Sequence, residues 1–153
     1  ASDPKNQCRC SEDKVDRYLG RLSGPLLDRL DLIIEVPSLS QSELLEHSKD
    51  KTDWTAIRER INHCQQTQQK RNGKLNSELK GRELETICPL NKSLRRTLAS
   101  IMEKLGMSAR ATHRVIRVAR TIADYEEKPE ISRTDLLEAI SYRRCQFIKS
   151  VIR

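Results

Sequence analysis

Arginine is the residue type with the clearest potential for chemistry in this sequence. Arg29 directly precedes an apolar run at 30–36, and Arg110 opens a stretch in which Arg114 and Arg117 follow at helical spacing. A guanidinium stays charged at physiological pH, and its planar fork of N–H donors matches the oxygens of a phosphate. Arginine side chains are therefore chemically suited to contact with a phosphoryl group, but this property alone assigns that role to neither Arg29 nor Arg110.

Simpler roles remain open for these side chains. Arg29 can instead pair with a neighbouring carboxylate, that is with Asp28, Asp31 or Glu35. A hydrated side chain is the alternative for Arg110. Hydration is the favoured interpretation for three further arginines of the same stretch, Arg114, Arg117 and Arg120.

Other catalytic groupings are missing from the sequence. A phosphate-binding loop needs a glycine-rich turn followed by Lys and then Ser or Thr, whereas the one Gly-Lys pair, Gly73-Lys74, precedes Leu75. The chain is therefore not expected to hydrolyse ATP by itself. The histidines stand far apart in the sequence, so we expect ordinary surface or packing roles for His47, His63 and His113.

The five cysteines form an odd set, which is typical of reduced, intracellular usage rather than of a disulfide framework. Cys8 and Cys10 are a close pair that can supply half of a zinc site, but a structural zinc site needs four S or N ligands. Zinc held by this pair alone is expected to bind weakly. The other three are expected to be packing residues, namely Cys64, Cys88 and Cys145.

The sequence contains no apolar run long enough to span a bilayer, and no signal peptide opens it. We expect a cytoplasmic protein without membrane contact. The net charge is +7, but residues 1–49 hold 7 Lys/Arg against 9 Asp/Glu, whereas residues 50–153 hold 22 against 13. A basic excess favours a polyanionic partner such as nucleic acid, because Lys and Arg release condensed counterions. The candidates for DNA contact are the basic pairs Arg95, Arg96, Arg143 and Arg144.

Apolar spacing predicts a mainly α structure. With one Phe and one Trp, the core must be built from Leu, Ile, Val and Ala, which suits packed helices. Caps and stops are expected at Asp53, Gly73, Gly106, Ser108 and the Ser132–Asp135 capping box. The helices are expected over 11–22, briefly from 25, and over 40–48, 53–71, 78–87, 91–105 and 108–126. A last helix follows Ser132 and should bury Leu136, Ile140, Phe147 and Val151.

One segment does not fit a helical bundle. Residues 30–36 are rich in apolar and β-branched side chains and are followed by Pro37, which predicts a strand buried on both faces. The sequence offers this strand no partner, and an isolated strand leaves its backbone groups unpaired. We interpret it as the remnant of an α/β core.

Two blocks of the sequence resemble a known family. The first is Arg21-Leu22-Ser23-Gly24-Pro25-Leu26-Leu27-Asp28-Arg29-Leu30-Asp31-Leu32. It is similar to the arginine-finger region of AAA+ ATPases of the magnesium-chelatase type, and most closely to the magnesium-chelatase-related, ComM-like members. The second block, Ser108-Ala109-Arg110-Ala111-Thr112-His113-Arg114 continuing to Asp124, looks like the sensor-2 helix of that family.

The resemblance implies how the chain is organised and which residues act. Residues 1–39 would be the end of the α/β nucleotide-binding core, in part disordered, and residues 40–153 the helical lid. The chain would be the C-terminal portion of a longer ATPase. Arg29 would be the arginine finger, which acts in trans on the site of a neighbouring subunit. Arg110 would be the sensor-2 arginine, which acts in cis.

The function implied by the resemblance is that of a ring, expected to be a homohexamer, that couples ATP hydrolysis to remodelling of DNA. Branch migration in recombination or natural transformation is the expected process. ATP and Mg²⁺ would be used by the full-length protein and would not be bound strongly by this chain alone. Two alternatives stay open: a magnesium-chelatase-type subunit for metal insertion, and a stand-alone helical module that binds nucleic acid.

Overall fold

The computed structural model describes residues 11–21, 24–34, 36 and 52–143. All regular structure in these ranges is helical, which confirms the predicted mainly α class. The helices are α1 (Glu12–Leu19), α2 (Gly24–Leu27), α3 (Trp54–Asn72), α4 (Gly81–Ile87), α5 (Lys92–Leu105), α6 (Ala109–Tyr125) and α7 (Arg133–Ser141), with a short 3-10 helix at Asn76–Glu78. None of these helices is long and apolar enough to cross a membrane.

Local capping signals set the ends of most of the long helices. The Asp53 carboxylate accepts hydrogen bonds from the backbone N–H groups of Thr55 and Ala56 and so begins α3. At its other end Gly73 has φ of 70°, a left-handed conformation that costs little without a Cβ. Gly106 ends α5 in the same way, with φ of 60°. These ends confirm the boundaries expected from the sequence.

Side-chain caps also begin α5, α6 and α7. Asn91 and Ser108 each accept a hydrogen bond from a backbone N–H in the first turn of the helix that follows. Ser132 and Asp135 form the predicted capping box at the start of α7. The predicted helix over 40–48 lies outside the described residues, and so do Phe147 and Val151 of the last predicted stripe.

The hydrophobic core surrounds α6. This helix packs against α3 and α7 and against the 3-10 helix. Its buried face is made of small residues, with Val115, Ala119 and Ala123 fully shielded, so that neighbouring helices can approach closely. The partners on α4 and α7, Leu84, Leu136 and Ile140, are larger and fill the space around it. The core is aliphatic, as the composition predicted.

A polar network is buried beside this core. The Asp124 carboxylate, 3% exposed, accepts hydrogen bonds from Arg71, Asn76 and Arg120 at 2.5 to 3.0 Å. Arg120, also 3% exposed, donates in addition to the carbonyl oxygens of Lys128 and Pro129. The expectation of a hydrated Arg120 is therefore wrong, because the chain after α6 turns back and surrounds its guanidinium.

The predicted strand over 30–36 is also corrected. Residues 30–34 and 36 have no strand structure, and the described parts of the chain hold no strand that could pair with them. One backbone hydrogen bond joins this segment to the bundle, from the Ile33 N–H to the carbonyl oxygen of Tyr142, just after α7, at 2.9 Å. The segment thus lies across the helical bundle as an irregular peptide.

Apolar contact holds residues 26–36 only weakly. Leu27 is buried at 6% exposure and Ile33 is partly buried, but five other large apolar side chains remain about half exposed or more. These are Leu26 at 43%, Leu30 at 44%, Leu32 at 50%, Ile34 at 67% and Val36 at 82%. The position of this segment must therefore depend to a large extent on polar contacts.

Candidate functional site

The predicted finger residue lies in a turn that directly follows α2. The backbone N–H groups of Arg29 and Leu30 donate to the carbonyl oxygens of Leu26 and Leu27, so the last turn of the helix continues through Arg29. The Arg29 side chain is exposed. Its guanidinium makes no hydrogen bond or ion pair with any described residue. It is therefore an exposed charged group on a hydrogen-bonded turn, without a partner in the described part of the chain.

The carboxylates beside Arg29 are engaged elsewhere. Asp28 accepts a hydrogen bond from the Ser108 hydroxyl at 2.7 Å and lies 3.4 Å from the Arg143 guanidinium. Asp31 pairs with Arg114 at 2.5 Å and lies 3.8 Å from Arg117. The sequence allowed Asp28 and Asp31 as partners of Arg29, but the structure pairs both with the helical bundle. The third alternative partner, Glu35, lies outside the described residues.

Arg143 completes the junction from the end of α7. It donates hydrogen bonds to the carbonyl oxygen of Leu30 and to the Asp28 carboxylate. Its side chain is 8% exposed. Burial lowers the pKa of Arg143 from its usual value, and the negative charge of Asp28 opposes that shift. An arginine engaged in this way presents little surface to DNA. The placement of Arg143 therefore does not favour the DNA contact predicted for it.

Arg110 lies in the first turn of α6, two residues after the Ser108 cap. Its side chain is exposed and has no partner among the described residues. The positive end of the helix dipole lies at the same end of α6, which favours an anion there. Arg29 and Arg110 are therefore close in sequence to the two partners of one hydrogen bond, Asp28 and Ser108, and neither has a carboxylate partner among the described residues.

Arg114 and Arg117 differ from Arg110, although all three lie on α6. Their side chains are only 18% and 16% exposed. Arg114 pairs with Asp31, and Arg117 donates to the carbonyl oxygens of Ser77 and Leu79. The expectation that these two arginines are hydrated is wrong, because residues 28–34 and the 3-10 helix cover this side of α6.

The remaining predicted site residues are not brought together with Arg29 and Arg110 by any described contact. Arg95 and Arg96 are exposed on α5, where Arg95 donates to the carbonyl oxygen of Leu90 at 2.9 Å. Arg96 has no partner in the described part of the chain. Arg144 and the cysteine pair Cys8 and Cys10 lie outside the described residues. No group of three potential metal ligands is found among the residues that are described.

Two of the cysteines can be assessed, and both have the predicted packing role. Cys64 and Cys88 are free and buried. Burial raises the pKa of the Cys88 thiol to about 11, and burial also raises the pKa of Cys64. A thiol whose pKa burial raises is less often ionised at neutral pH, which makes it a poorer nucleophile and a poorer metal ligand. Cys145 lies outside the described residues.

Asp28, Asp31 and Ser108 join the turn that contains Arg29 to α6, and these contacts were not predicted from the sequence. The partners in these contacts are 80 and 83 residues apart. Helical periodicity reports on neighbours three or four residues away, so it carries no signal for contacts of this separation. Ser108 was identified as a cap, but its second hydrogen bond was not.

Comparison with known proteins identifies the family. The magnesium chelatase, subunit ChlI C-terminal family matches residues 51–143, and the magnesium chelatase, subunit ChlI family matches residues 1–44. The two matches cover all the described helices between them, and the first alone covers more than half of the chain.

Individual relatives agree with these matches. The chain is 41% identical over 138 residues to the uncharacterized protein YifB of Salmonella typhimurium, an alignment that covers 90% of this chain and 27% of YifB. It is 43% identical over 136 residues to competence protein ComM of Haemophilus influenzae, which covers 88% of this chain and 26% of ComM. The chain thus spans about a quarter of the length of these relatives. From its matches over most of its length, the chain belongs to the magnesium chelatase ChlI family, in a group similar to YifB and ComM.

Proposed function

We propose that this chain carries the arginine finger and the sensor-2 lid of a ring-forming AAA+ ATPase. The observation that supports the proposal most directly is the state of Arg29. It lies on a fixed turn, it is exposed, and its neighbouring carboxylates Asp28 and Asp31 are engaged by other residues. A finger must keep its charge available to an external phosphoryl group, and Arg29 meets that requirement.

The chemistry of Arg29 follows from its guanidinium. Charge that develops on the transferred phosphoryl oxygens is stabilised by a planar, permanently charged donor, and such fingers contribute about 10³ to 10⁵ in rate. Arg29 acts on the nucleotide of the neighbouring subunit. Arg110, exposed in the first turn of α6, contacts the nucleotide bound by its own subunit. The chain supplies no phosphate-binding loop, so ATP and Mg²⁺ are held by the rest of the full-length protein.

DNA is the proposed substrate of the motor, which we take to be a cytoplasmic homohexamer. Support comes from the name of one relative, competence protein ComM, and from the basic excess of residues 50–153. On this proposal the ring drives branch migration during recombination or natural transformation. The alternative is metal insertion, since the matching family is named after magnesium chelatase.

The decisive test of the ATPase proposal is the Arg29→Ala variant of the full-length protein. We expect ATP turnover to fall by about 10³-fold or more, with nucleotide affinity nearly unchanged, because the finger contacts the transition state of a neighbouring site. Arg58→Ala is the matched control, since Arg58 is also exposed and has no partner among the described residues. Equal loss of binding and turnover, or turnover equal to that of Arg58→Ala, would refute the finger assignment.

The DNA proposal is tested by binding at several salt concentrations. Arg96→Ala should weaken DNA affinity and reduce the slope of log affinity against log salt by about one. Arg58→Ala, which removes the same charge from another helix, should leave the slope unchanged. Identical slopes for wild type and Arg96→Ala would remove Arg96 from the proposed interface, and no salt-dependent DNA binding at all would favour the chelatase alternative.

A further inference from the structure

We propose that Asp28 and Asp31 are positioning residues that attach the Arg29 turn to helix α6, so that the finger moves with the helix that carries Arg110. This inference rests on the proposed function for its catalytic consequence. The attachment itself is a property of the described contacts. Through it, nucleotide bound by one subunit would control the finger that the same subunit offers to its neighbour.

The first support is the pattern of contacts on either side of Arg29. The preceding residue, Asp28, accepts a hydrogen bond from Ser108 at 2.7 Å, and Asp31 pairs with Arg114 at 2.5 Å. Ser108 and Arg114 are six residues apart, so the finger turn is attached at two points along the first half of α6. Two attachment points fix orientation as well as distance, which one contact would not do.

The second support is that the arginines of α6 differ in exposure and in their partners. Arg114 and Arg117 are mostly buried, and both have Asp31 within 4.0 Å. The Nε atom of Arg114 is buried without a described partner, so this side chain makes its ion pair at the expense of another hydrogen bond. Arg110, four residues before Arg114, stays exposed. Helix α6 thus carries Arg110, which has no partner among the described residues, and Arg114, which is paired with Asp31.

The third support is the weakness of apolar packing in the segment. Of the large apolar side chains with described exposure in residues 26–36, Leu27 is buried and Ile33 is partly buried, whereas the others, such as Leu32 and Ile34, are 43% exposed or more. Packing of this kind cannot hold the turn against α6 in one register. Polar contacts therefore carry much of the attachment. Those of Asp28 and Asp31 act together with the hydrogen bond from Arg143 to the Leu30 carbonyl oxygen, and removal of the two carboxylates should loosen the segment while the aliphatic core remains intact.

The consequence concerns the coupling of two sites. Arg110 lies two residues after Ser108, and Arg29 lies directly after Asp28, so the hydrogen bond between Ser108 and Asp28 links the two backbone stretches that carry these arginines. A shift or rotation of α6 on contact with nucleotide would be transmitted to Arg29 through Asp28 and Asp31. Arg29 would then reach the neighbouring site in one position of α6 and withdraw in another.

The attachment can be tested in this chain by amide hydrogen exchange. The reporter is the Ile33 N–H, which donates to Tyr142 and is protected only when the segment is docked. Exchange at Ile33 should be about fivefold faster or more in the Asp28→Ala, Asp31→Ala double variant, whereas amides of α6 and α7 should keep their wild-type rates. Glu59→Ala, which removes an exposed carboxylate on α3 without a described partner, is the control. Unchanged exchange at Ile33 in the double variant would overturn the proposal.

The catalytic consequence is tested in the full-length protein beside Arg29→Ala. Asp31→Asn should lower kcat for ATP several-fold and leave KM unchanged, and Asp31→Glu, which keeps the charge, should recover part of the loss. Faster exchange at Ile33 with an unchanged kcat, in a protein that Arg29→Ala inactivates, would refute the positioning role alone. Full activity of Arg29→Ala would instead refute the finger function, and with it the catalytic role of Asp28 and Asp31.

Discussion

At the residue scale, the arginines of α6 show how tertiary partners decide what one side-chain type does. Arg110 is exposed and unpaired among the described residues, Arg114 pairs with a distant aspartate, and Arg120 is buried in a network with Asp124. The three lie on the same helix and have the same intrinsic chemistry. A phosphate ligand can therefore compete for Arg110 without breaking an internal contact, whereas it would have to displace a carboxylate at the other two.

The buried network at Asp124 should contribute strongly to stability. Asp124→Ala leaves the buried Arg120 and the part-buried Arg71 without their carboxylate, so we expect the free energy of unfolding to fall by about 3 kcal/mol or more. Urea denaturation of the chain measures this change. Glu130→Ala removes an exposed carboxylate that has no partner in the described ranges, and it should alter stability by less than about 0.5 kcal/mol. Similar losses for both variants would show that the network is not a major stabilising element.

The same carboxylate should make the chain sensitive to acid. Burial opposes the ionisation of Asp124, but hydrogen bonds from Arg71 and Asn76 and the charge of Arg120 outweigh it and lower its pKa below the ordinary 3.8. A carboxyl group with a depressed folded-state pKa contributes its full stability above the unfolded-state pKa and loses it as pH falls through the folded-state pKa. Tm should therefore be nearly constant from pH 7 to about 5 and should fall below about pH 4.

A comparison with Asp124→Asn isolates this contribution. The variant has no carboxyl group to titrate at that position, so its Tm should be lower at pH 7 and should decline less steeply in acid than that of the wild type. Asp135 also has a lowered pKa, because Lys128 and Ser132 stabilise its charge against burial, and it will produce some decline in both proteins. Parallel Tm profiles would show that Asp124 is not responsible.

At the element scale, α6 connects the core to the turn that contains Arg29. One of its faces packs against α3 and α7, and its N-terminal cap contacts Asp28. Ser108 therefore has two functions, since its hydroxyl accepts from the Ala111 N–H and donates to Asp28. Asn91 caps α5 in the same manner but makes no described contact with residues 26–36.

This difference yields a prediction that compares two caps. Ser108→Ala and Asn91→Ala should each lower the free energy of unfolding by about 1 kcal/mol, because each removes one side-chain cap. Of the two variants, Ser108→Ala alone should also speed hydrogen exchange at the Ile33 amide. The reason is that Ser108 binds Asp28, whereas Asn91 makes no described contact with residues 26–36. Thermal unfolding and amide exchange of the two variants measure both effects. Faster exchange at Ile33 in Asn91→Ala would mean that the segment responds to general destabilisation.

The sequence predicted those elements whose determinants are local. The Asp53 and Ser108 caps, the Gly73 and Gly106 stops and the Ser132–Asp135 box all act within four residues, and all lie where they were expected. The strand over 30–36 was predicted wrongly because its apolar, β-branched composition was given more weight than the lack of a partner strand, which was already evident from the sequence. Arg120 was misjudged for a related reason, since the carbonyl groups that bind it belong to the turn after α6.

At the scale of the whole molecule, the sequence predicted the family of the chain, whereas the roles of Arg29 and Arg110 stay predictions. The resemblance of two sequence blocks pointed to Arg29 and Arg110, and the family matches agree with it. The contact between the two blocks, through Asp28 and Ser108, spans 80 residues and became visible only in the folded chain. The division of the chain at residue 39 stays a prediction.

The central claim is that Arg29 serves a neighbouring subunit and Arg110 its own, and subunit mixing tests it most directly. Full-length Arg29→Ala subunits are combined with subunits whose phosphate-binding loop is inactivated, and ATP turnover is measured. Activity should reappear, because an intact finger meets an intact nucleotide site at roughly a quarter of the interfaces in a random equal mixture. Arg110→Ala subunits in the same mixture should regain none. An Arg29→Ala mixture that stays inactive, or an Arg110→Ala mixture that recovers, would contradict the account.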